Sequence, residues 1–276
     1  MLTTTVEGLW VLQVLTGVEV LGPELGLRPH LPRVESRDDA LDRPIAAELR
    51  EHAVIDEAGT VDEPVREWLA VLSRRDIGLV LDLHRPGDRT RTRVLLARFA
   101  RWWAVLERHG DLVRLGPAGT SAEENSATSV IAVEIERLCG TAQPAELRPV
   151  TVDAGAIAGV RGSARLRAVL AGAGIDAEQQ GMLLLAADPA RSAHAGIVAV
   201  QSGVESGLPT RAVLGDSAVT VIDTPAGRLV AETVHRDGRR WLIVGPGSTS
   251  AIVTAVRALL RRLPAEQDWY SYRKVV

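Results

Sequence analysis

Apolar residues along this chain change their spacing in the same way twice. Each passage opens with a short extended run, turns helical, and ends in extended runs closed by a helix. Thr3-Thr4-Thr5-Val6 is β-favouring and reads as an opening strand. From Leu9 to Val20 the chain is broadly apolar, as in a helix covered on most sides. Gly22-Pro23, Gly26, Pro29 and Pro32 break it, and residues 28–44, with three prolines and many charges, read as a long surface connection. Helices follow over Pro44 to Ala53 and Asp62 to Leu72, the second with Asp62 as N-cap and Pro64 in its first turn.

After Arg74-Arg75-Asp76 the period shortens to that of a strand. Ile77 to His84 is extended, Arg85-Pro86-Gly87-Asp88 is a turn, and Arg93 to Phe99 and Arg101 to Leu106 are two more strands. His109-Gly110 turns into Leu112 to Leu115, which completes a four-strand antiparallel meander. A helix from about Thr120 to Leu138 carries Val130, Ile131, Ile135 and Leu138 as an apolar stripe.

The plan then restarts. Pro149 to Asp153 reads as a strand, and helical segments follow at 154–160, 163–173 and 176–187, the last opened by the capping pair Asp176 and Gln179. Ala195 to Gln201 is a strand, 203–210 a Gly/Ser/Pro loop, and Ala218 to Ile222 and Arg228 to His235 are strands. Asp237-Gly238 is a hairpin signal before a last strand, Arg240 to Val244. Ile252, Ala255, Val256, Leu259, Leu260 and Leu263 then share one helical face.

A short repeat marks both passages: Leu115-Gly116-Pro117-Ala118-Gly119-Thr120-Ser121-Ala122 is echoed by Val244-Gly245-Pro246-Gly247-Ser248-Thr249-Ser250-Ala251. It reads as a closing corner before a helix, with Thr120 and Thr249 as N-caps. Each half therefore reads β-ααα-ββββ-α. The expectation is an α+β fold in which an N-terminal half, 1–140, and a C-terminal half, 146–276, pair about a pseudo-twofold axis in one continuous antiparallel sheet.

Composition narrows the function by exclusion. The chain has 276 residues, 46% of them hydrophobic, and a formal net charge of -3, which leaves no electrostatic footprint for nucleic acid. A single cysteine, Cys139, gives neither an intramolecular disulfide nor a cysteine-rich metal site. No signal peptide and no membrane-length apolar run is evident, so a reducing cytoplasm and no membrane insertion are expected. The six histidines (His30, His52, His84, His109, His194, His235) fall on separate elements without metal-ligand spacing and read as solvated or turn residues. No G-x-S-x-G surrounds any serine.

An alternative reading takes the GP-x-x-TSA corners as anion sites of a small-molecule or nucleotide-binding enzyme. They lack the P-loop lysine, and capping alone explains their threonines. A third reading is a homo-oligomer built on exposed sheet edges. Six of the nine aromatic residues are tryptophan, and Trp102-Trp103 in a strand puts one indole on each face. The arginine-rich turn (Arg85, Arg89, Arg91, Arg93) reads as a solvated hairpin tip or a contact for an acidic partner.

Several stretches resemble the EspG family of mycobacterial type VII (ESX) secretion-associated chaperones. They are Val6-Glu7-Gly8-Leu9-Trp10-Val11-Leu12, Glu24-Leu25-Gly26-Leu27-Arg28-Pro29, Arg74-Arg75-Asp76-Ile77-Gly78, Arg108-His109-Gly110-Asp111 and Leu263-Pro264-Ala265. They fall in the family's order across essentially the whole chain. The resemblance implies a quasi-twofold fold with a central antiparallel sheet flanked by two helical bundles. It implies a cytosolic, non-enzymatic chaperone without cofactor, which grips the PPE helical tip of a PE–PPE heterodimer and hands the pair to the ESX secretion machinery. A weak homodimer is left open. The family's contacts come from the sheet, the loop after the first meander strand and the second bundle, here Arg85 to Thr92 and about Asp176 to Ala187. On that mapping Met182, Leu183 and Leu184 supply apolar area, and Arg85, Arg89 and Arg91 form the rim.

Overall fold

The computed structural model describes residues 1–203 and 212–274. The opening strand β1 (Leu2–Thr5) runs straight into α1 (Val6–Thr16), because Thr5 Oγ1 accepts the Gly8 N–H at 3.1 Å and caps the helix. Gly8 leaves room for the Thr4 side chain: a Cβ there would collide with Thr4 Oγ1 and force it to turn. Residues Leu9 to Gln13 are all buried, so α1 is covered on every side, as its apolar run predicts. It stops before the expected Val20 because Gly17 takes a left-handed conformation, φ 69°.

Within the long connection lies an unexpected helix, α2 (Arg37–Leu41), started by Ser36 Oγ accepting from Asp39 N–H at 3.1 Å. Then come α3 (Pro44–Glu51) and α4 (Glu63–Arg74). The connection also holds a correction: His30 is not solvated but 4% exposed, with Nδ1 2.8 Å from Glu35 Oε2. Burial opposes the charge on Glu35, but hydrogen bonds from Leu31 N–H, His30 and Arg28 outweigh it and lower its pKa to about 2. A depressed carboxyl stabilises the fold above its unfolded pKa, and that contribution is lost as pH falls from about 4.3 towards 2. Glu35→Gln is therefore expected to flatten the acid limb of a stability–pH curve in that window, as read by urea midpoints.

The meander comprises β2 (Ile77–His84), β3 (Thr92–Phe99), β4 (Trp102–His109) and β5 (Leu112–Thr120), followed by α5 (Glu124–Cys139). The second half runs β6 (Val150–Asp153), α6 (Ala154–Ile157), α7 (Ser163–Gly172), α8 (Ala177–Ala186) and β7 (Ala193–Ser202). It ends with β8 (Ala212–Leu214), β9 (Ala218–Thr224), β10 (Gly227–Arg236), β11 (Arg239–Pro246) and α9 (Thr249–Leu260). The Asp176–Gln179 capping pair forms as read. Asp237 and Gly238, at φ 52° and 71°, make the tight β10–β11 turn that the Asp-Gly dipeptide predicts. The loop expected over 203–210 lies, from residue 204 on, outside the described residues.

The repeated Gly-Pro stretch is the closing corner that the sequence predicts only in its second copy, where β11 ends at Pro246 and α9 starts at Thr249. Its first copy stays in β5 through Thr120, bulged opposite Trp103 and Ala104, and α5 starts four residues later, with Ser126 Oγ accepting from Glu123 N–H at 3.1 Å. In the second copy the cap is Ser248, whose Oγ accepts from Ala251 N–H at 3.2 Å, and Thr249 is already helical. Thr120 and Thr249 are thus neither equivalent nor caps. Both copies do share a place: Leu115 and Val244 are the last residues paired with the outer strands β1 and β6. Past them each strand has a free edge, where a proline without an N–H costs no ladder bond. Ser248→Ala is expected to cost about 1 kcal/mol and Thr249→Ala clearly less, measured by urea unfolding.

Among the described residues the strands form one antiparallel sheet in the order β1-β5-β4-β3-β2-β7-β9-β10-β11-β6, with β8 also on β7. Read from either edge, each half follows the same sequence: the opening strand, then the four meander strands from last to first. One face packs Ile77, Leu79 and Leu81 of β2 and Ile197 of β7 against Ile131 and Ile135 of α5 and Ile252, Val256 and Leu259 of α9. Each such fully buried aliphatic side chain contributes about 1.5–3 kcal/mol. The other face carries two separate helical layers. Leu95, Ala104, Leu106 and Val113 lie under α1, α3 and α4. Ile222, Leu229, Ala231 and Val244 lie under α7 and α8.

The two tryptophans of β4 part as the alternation requires. Trp103 is 2% exposed with Nε1 2.8 Å from Ser121 Oγ, and Trp102 is 48% exposed beneath the Arg101 guanidinium.

Candidate functional site

Between the two helical layers, the middle of the sheet is left with a bare strip. It follows from the alternation in two central strands. In β2, Leu79, Leu81 and Leu83 point into the core with α5 and α9, so Val80, Asp82 and His84 point the other way. In β7, Ala195, Ile197 and Ala199 point inward, so His194, Gly196 and Val198 share that outer face. The antiparallel register puts Val80 opposite Val198, Asp82 opposite Gly196 and His84 opposite His194, and carries the strip on to Thr220 of β9. Each of these residues is half-buried, and Val80 also packs against the edge of the N-terminal helical layer. The strip is a shallow trough with an apolar centre and polar ends.

Glycine sharpens its outline. Gly78, at the buried end, would bring a Cβ 3.0 Å from Val200 and 3.2 Å from Leu95, so packing explains it. Gly196 would meet nothing within 4 Å, and neither would Gly181 on the exposed side of α8. A glycine inside a strand or helix weakens it by about 0.5–1 kcal/mol relative to alanine. Among the described residues nothing lies within 4 Å of a Cβ at either position.

Side chains tie this strip to the adjoining loop and helix. His194 Nε2 lies 2.7 Å from Ala186 O, which seats the end of α8 over β7. Ser192 Oγ, donating to Leu185 O at 2.8 Å, reinforces the seat. At the same end the loop between β2 and β3 emerges beside His84. Arg91 pairs with Asp82 at 3.4 Å, Arg89 is exposed, and Arg85 Nη2 donates to Leu138 O at 3.1 Å in the last turn of α5. Arg228 completes that helix end, donating to Cys139 O and Gly140 O at 2.8 Å each while pairing with both oxygens of Asp223. Burial pushes the Cys139 thiol up to about 11, so it stays protonated.

The structure separates the six residues picked from the sequence. Arg91 joins the strip through Asp82, and Arg85 braces α5 on the opposite face. Leu183 is 9% exposed and gives its area to the core under α8. Met182 faces a groove of about 670 Å³ between α8 and residues 145–148, lined by Leu147, Arg148, Gly181 and Leu185. Leu184 sits about 200° around the helix axis from Met182 and is half-exposed. Sequence reasoning missed Val80, Asp82, His194, Gly196 and Val198. Their signal was present in the alternation of Leu79-Val80-Leu81-Asp82-Leu83-His84, whose second face needs a cover or a partner. Among the described residues no group of three or more His, Cys, Asp or Glu could hold a metal ion, and no helix is long and apolar enough to cross a membrane.

The EspG family model matches residues 5–258. The chain is 52% identical over 277 residues to the ESX-2 secretion-associated protein EspG2 of Mycobacterium tuberculosis strain H37Rv, covering all of both chains. It is 25% identical over 305 residues to the ESX-5 secretion-associated protein EspG5 of Mycobacterium marinum, covering 99% of this chain and 97% of that one. Among solved structures it shares its fold with the Mycobacterium tuberculosis type VII secretion system chaperone EspG5 in complex with a PE25–PPE41 dimer. The TM-score is 0.76 at 22% identity, over 98% of this chain and 99% of that one.

Proposed function

The chain belongs to the EspG family, whose members are secretion chaperones and not enzymes, and on that premise we propose that it is a cytosolic chaperone for a PE–PPE heterodimer. It binds the pair at the PPE helical tip, keeps it soluble and delivers it to a type VII secretion system. Its 52% identity to an ESX-2 secretion-associated protein supports the second ESX system as the destination.

The observation that carries this reading is the bare strip of β2 and β7 between the helical layers. A helical tip laid there meets Val80 and Val198 at the centre, with Asp82, His84, His194 and Arg91 as a polar rim. Gly196 lets its backbone come close, and Leu184 extends the contact along α8. Arg89 is placed to meet an acidic group at the loop end. Burying apolar helix in this way removes from water the surface that would otherwise aggregate.

The matched strand order from both edges supports a quasi-twofold repeat, with halves at 1–140 and 146–276 and two helical bundles flanking the sheet. In that arrangement the trough lies on the pseudo-axis, and the differences between the halves decide which side grips the partner. Co-expression with a panel of PE–PPE pairs from several ESX systems tests the function. Co-elution with a pair of the second system on gel filtration is expected. Separate elution from every pair would overturn it.

A further inference from the structure

We propose a second docking site, at the outer edge of β1, for an extended protein segment that carries apolar residues flanking a basic one and adds itself as a further strand. Among the described residues the edge is open: β1 ends the strand order and pairs with β5 alone. The direction of its free backbone groups follows from the register. Val6 N–H donates to Asp111 O at 2.8 Å, and the pairing continues as Thr5↔Leu112, Thr4↔Val113, Thr3↔Arg114 and Leu2↔Leu115. In an antiparallel ladder alternate residues bond to the same neighbour, so Thr4 and Leu2 share the direction of Val6 and face β5. Thr3 N–H and C=O and Thr5 N–H therefore point away from the sheet, towards an incoming strand.

The two ends of the sheet are not protected alike. The β6 edge is entered through Pro149 and ends on the charged Asp153, devices that discourage pairing. β1 reads Leu-Thr-Thr-Thr, with no proline and no charge. Beside it lies a groove of about 630 Å³ with Leu2, Trp68 and Leu112 as apolar floor, and Glu48, His52 and Asp62 at its rim. Trp68 is half-exposed in this groove and Leu112 is 44% exposed. Large apolar side chains of an added strand would pack on that floor. A lysine or arginine between them would answer the two carboxylates. Charge selects the occupant: a second copy of this chain would bring its own Leu-Thr-Thr-Thr, which offers no cation to Glu48 and Asp62. The site lies four strand spacings from β2, about 19 Å, so it is separate from the central strip.

The test uses a fluorescein-labelled, C-amidated peptide, Thr-Leu-Thr-Lys-Thr-Leu, which puts both leucines and the lysine on one strand face, with the full-length chain and anisotropy as readout. Saturable binding is expected. It should weaken at least tenfold when glutamate replaces the peptide's lysine, and at least tenfold in Glu48→Lys. Thr3→Pro removes only the outward N–H and spares every bond to β5, so it should weaken binding similarly while leaving the circular dichroism melt in place. If that variant fails to fold, Glu48→Lys and the glutamate peptide still decide. No binding to the wild type, equal binding of the two peptides, or equal binding to Glu48→Lys would each overturn the proposal. So would a dimeric mass of the free protein that Thr3→Pro abolishes, since the edge would then belong to a second copy.

Discussion

Replacing Asp76 with alanine is expected to destabilise the protein by about 3–5 kcal/mol, the loss that follows when one partner of a buried ionic cluster is removed. Asp76 is 1% exposed. Its Oδ2 accepts from Ala100 N–H at 3.1 Å and from Arg273 at 3.3 Å, and its Oδ1 accepts from Lys274 N–H at 3.1 Å. Beside it Arg98, also 1% exposed, donates to Ala100 O and Tyr272 O at 2.7 Å each and to Trp269 O at 3.2 Å. Burial lowers the Arg98 guanidinium to about 10, with the Asp76 charge opposing that loss. Without Asp76 an arginine is left in the interior with no counter-charge, and the C-terminal strap loses its anchor.

The strap is worth holding. Trp269 is fully buried and donates to Glu124 Oε1 at 3.2 Å, and Tyr272 donates to Ser202 O at 2.9 Å. Residues from both halves of the chain thus close one polar knot across the middle of the sheet. Asp76→Asn should recover part of the loss by keeping an oxygen acceptor. Urea unfolding of the three proteins checks it, and a cost below about 1 kcal/mol for the alanine variant would contradict this account of the strap.

The second large effect is on binding. Gly196→Trp should leave the fold intact, since a Cβ there meets nothing within 4 Å and an aromatic residue suits a strand better than glycine. It should weaken capture of the PE–PPE pair at least about 100-fold, equivalent to about 2.7 kcal/mol, because the indole occupies the trough. Val133→Arg is the control. Val133 is 61% exposed on α5, on the opposite face of the molecule, and its replacement should leave binding unchanged. Surface plasmon resonance against an immobilised pair measures both.

Most of the fold was legible because its signals are local. The switch from helical to two-residue spacing at Ile77 gives β2 to the residue, Asp176 with Gln179 gives the start of α8, and the stripe from Ile252 to Leu263 gives the buried face of α9. What failed depends on neighbours distant in sequence. Gly116-Pro117 is a turn signal by itself, but β1 leaves β5 at Leu115, and a proline on a free edge can remain in a strand. α2 was hidden because its cap, Ser36 with Asp39, starts a helix of five residues within a proline-rich connection. The candidate site was less legible than the fold. Arg91 borders it, Arg85 braces α5 on the opposite face and Met182 lines a separate groove, whereas its centre is built from the unremarkable halves of two alternating strands. Only the pairing of β2 with β7 joins Val80 to Val198 and His84 to His194.

The central claim is that a PE–PPE pair docks on this strip. It is tested most directly by placing a photo-crosslinking phenylalanine analogue at position 196 or at position 133 in the purified complex. Crosslinks from position 196 to the PPE chain and none from position 133 are the predicted result. An intact complex that crosslinks from position 133 and not from position 196 would contradict it.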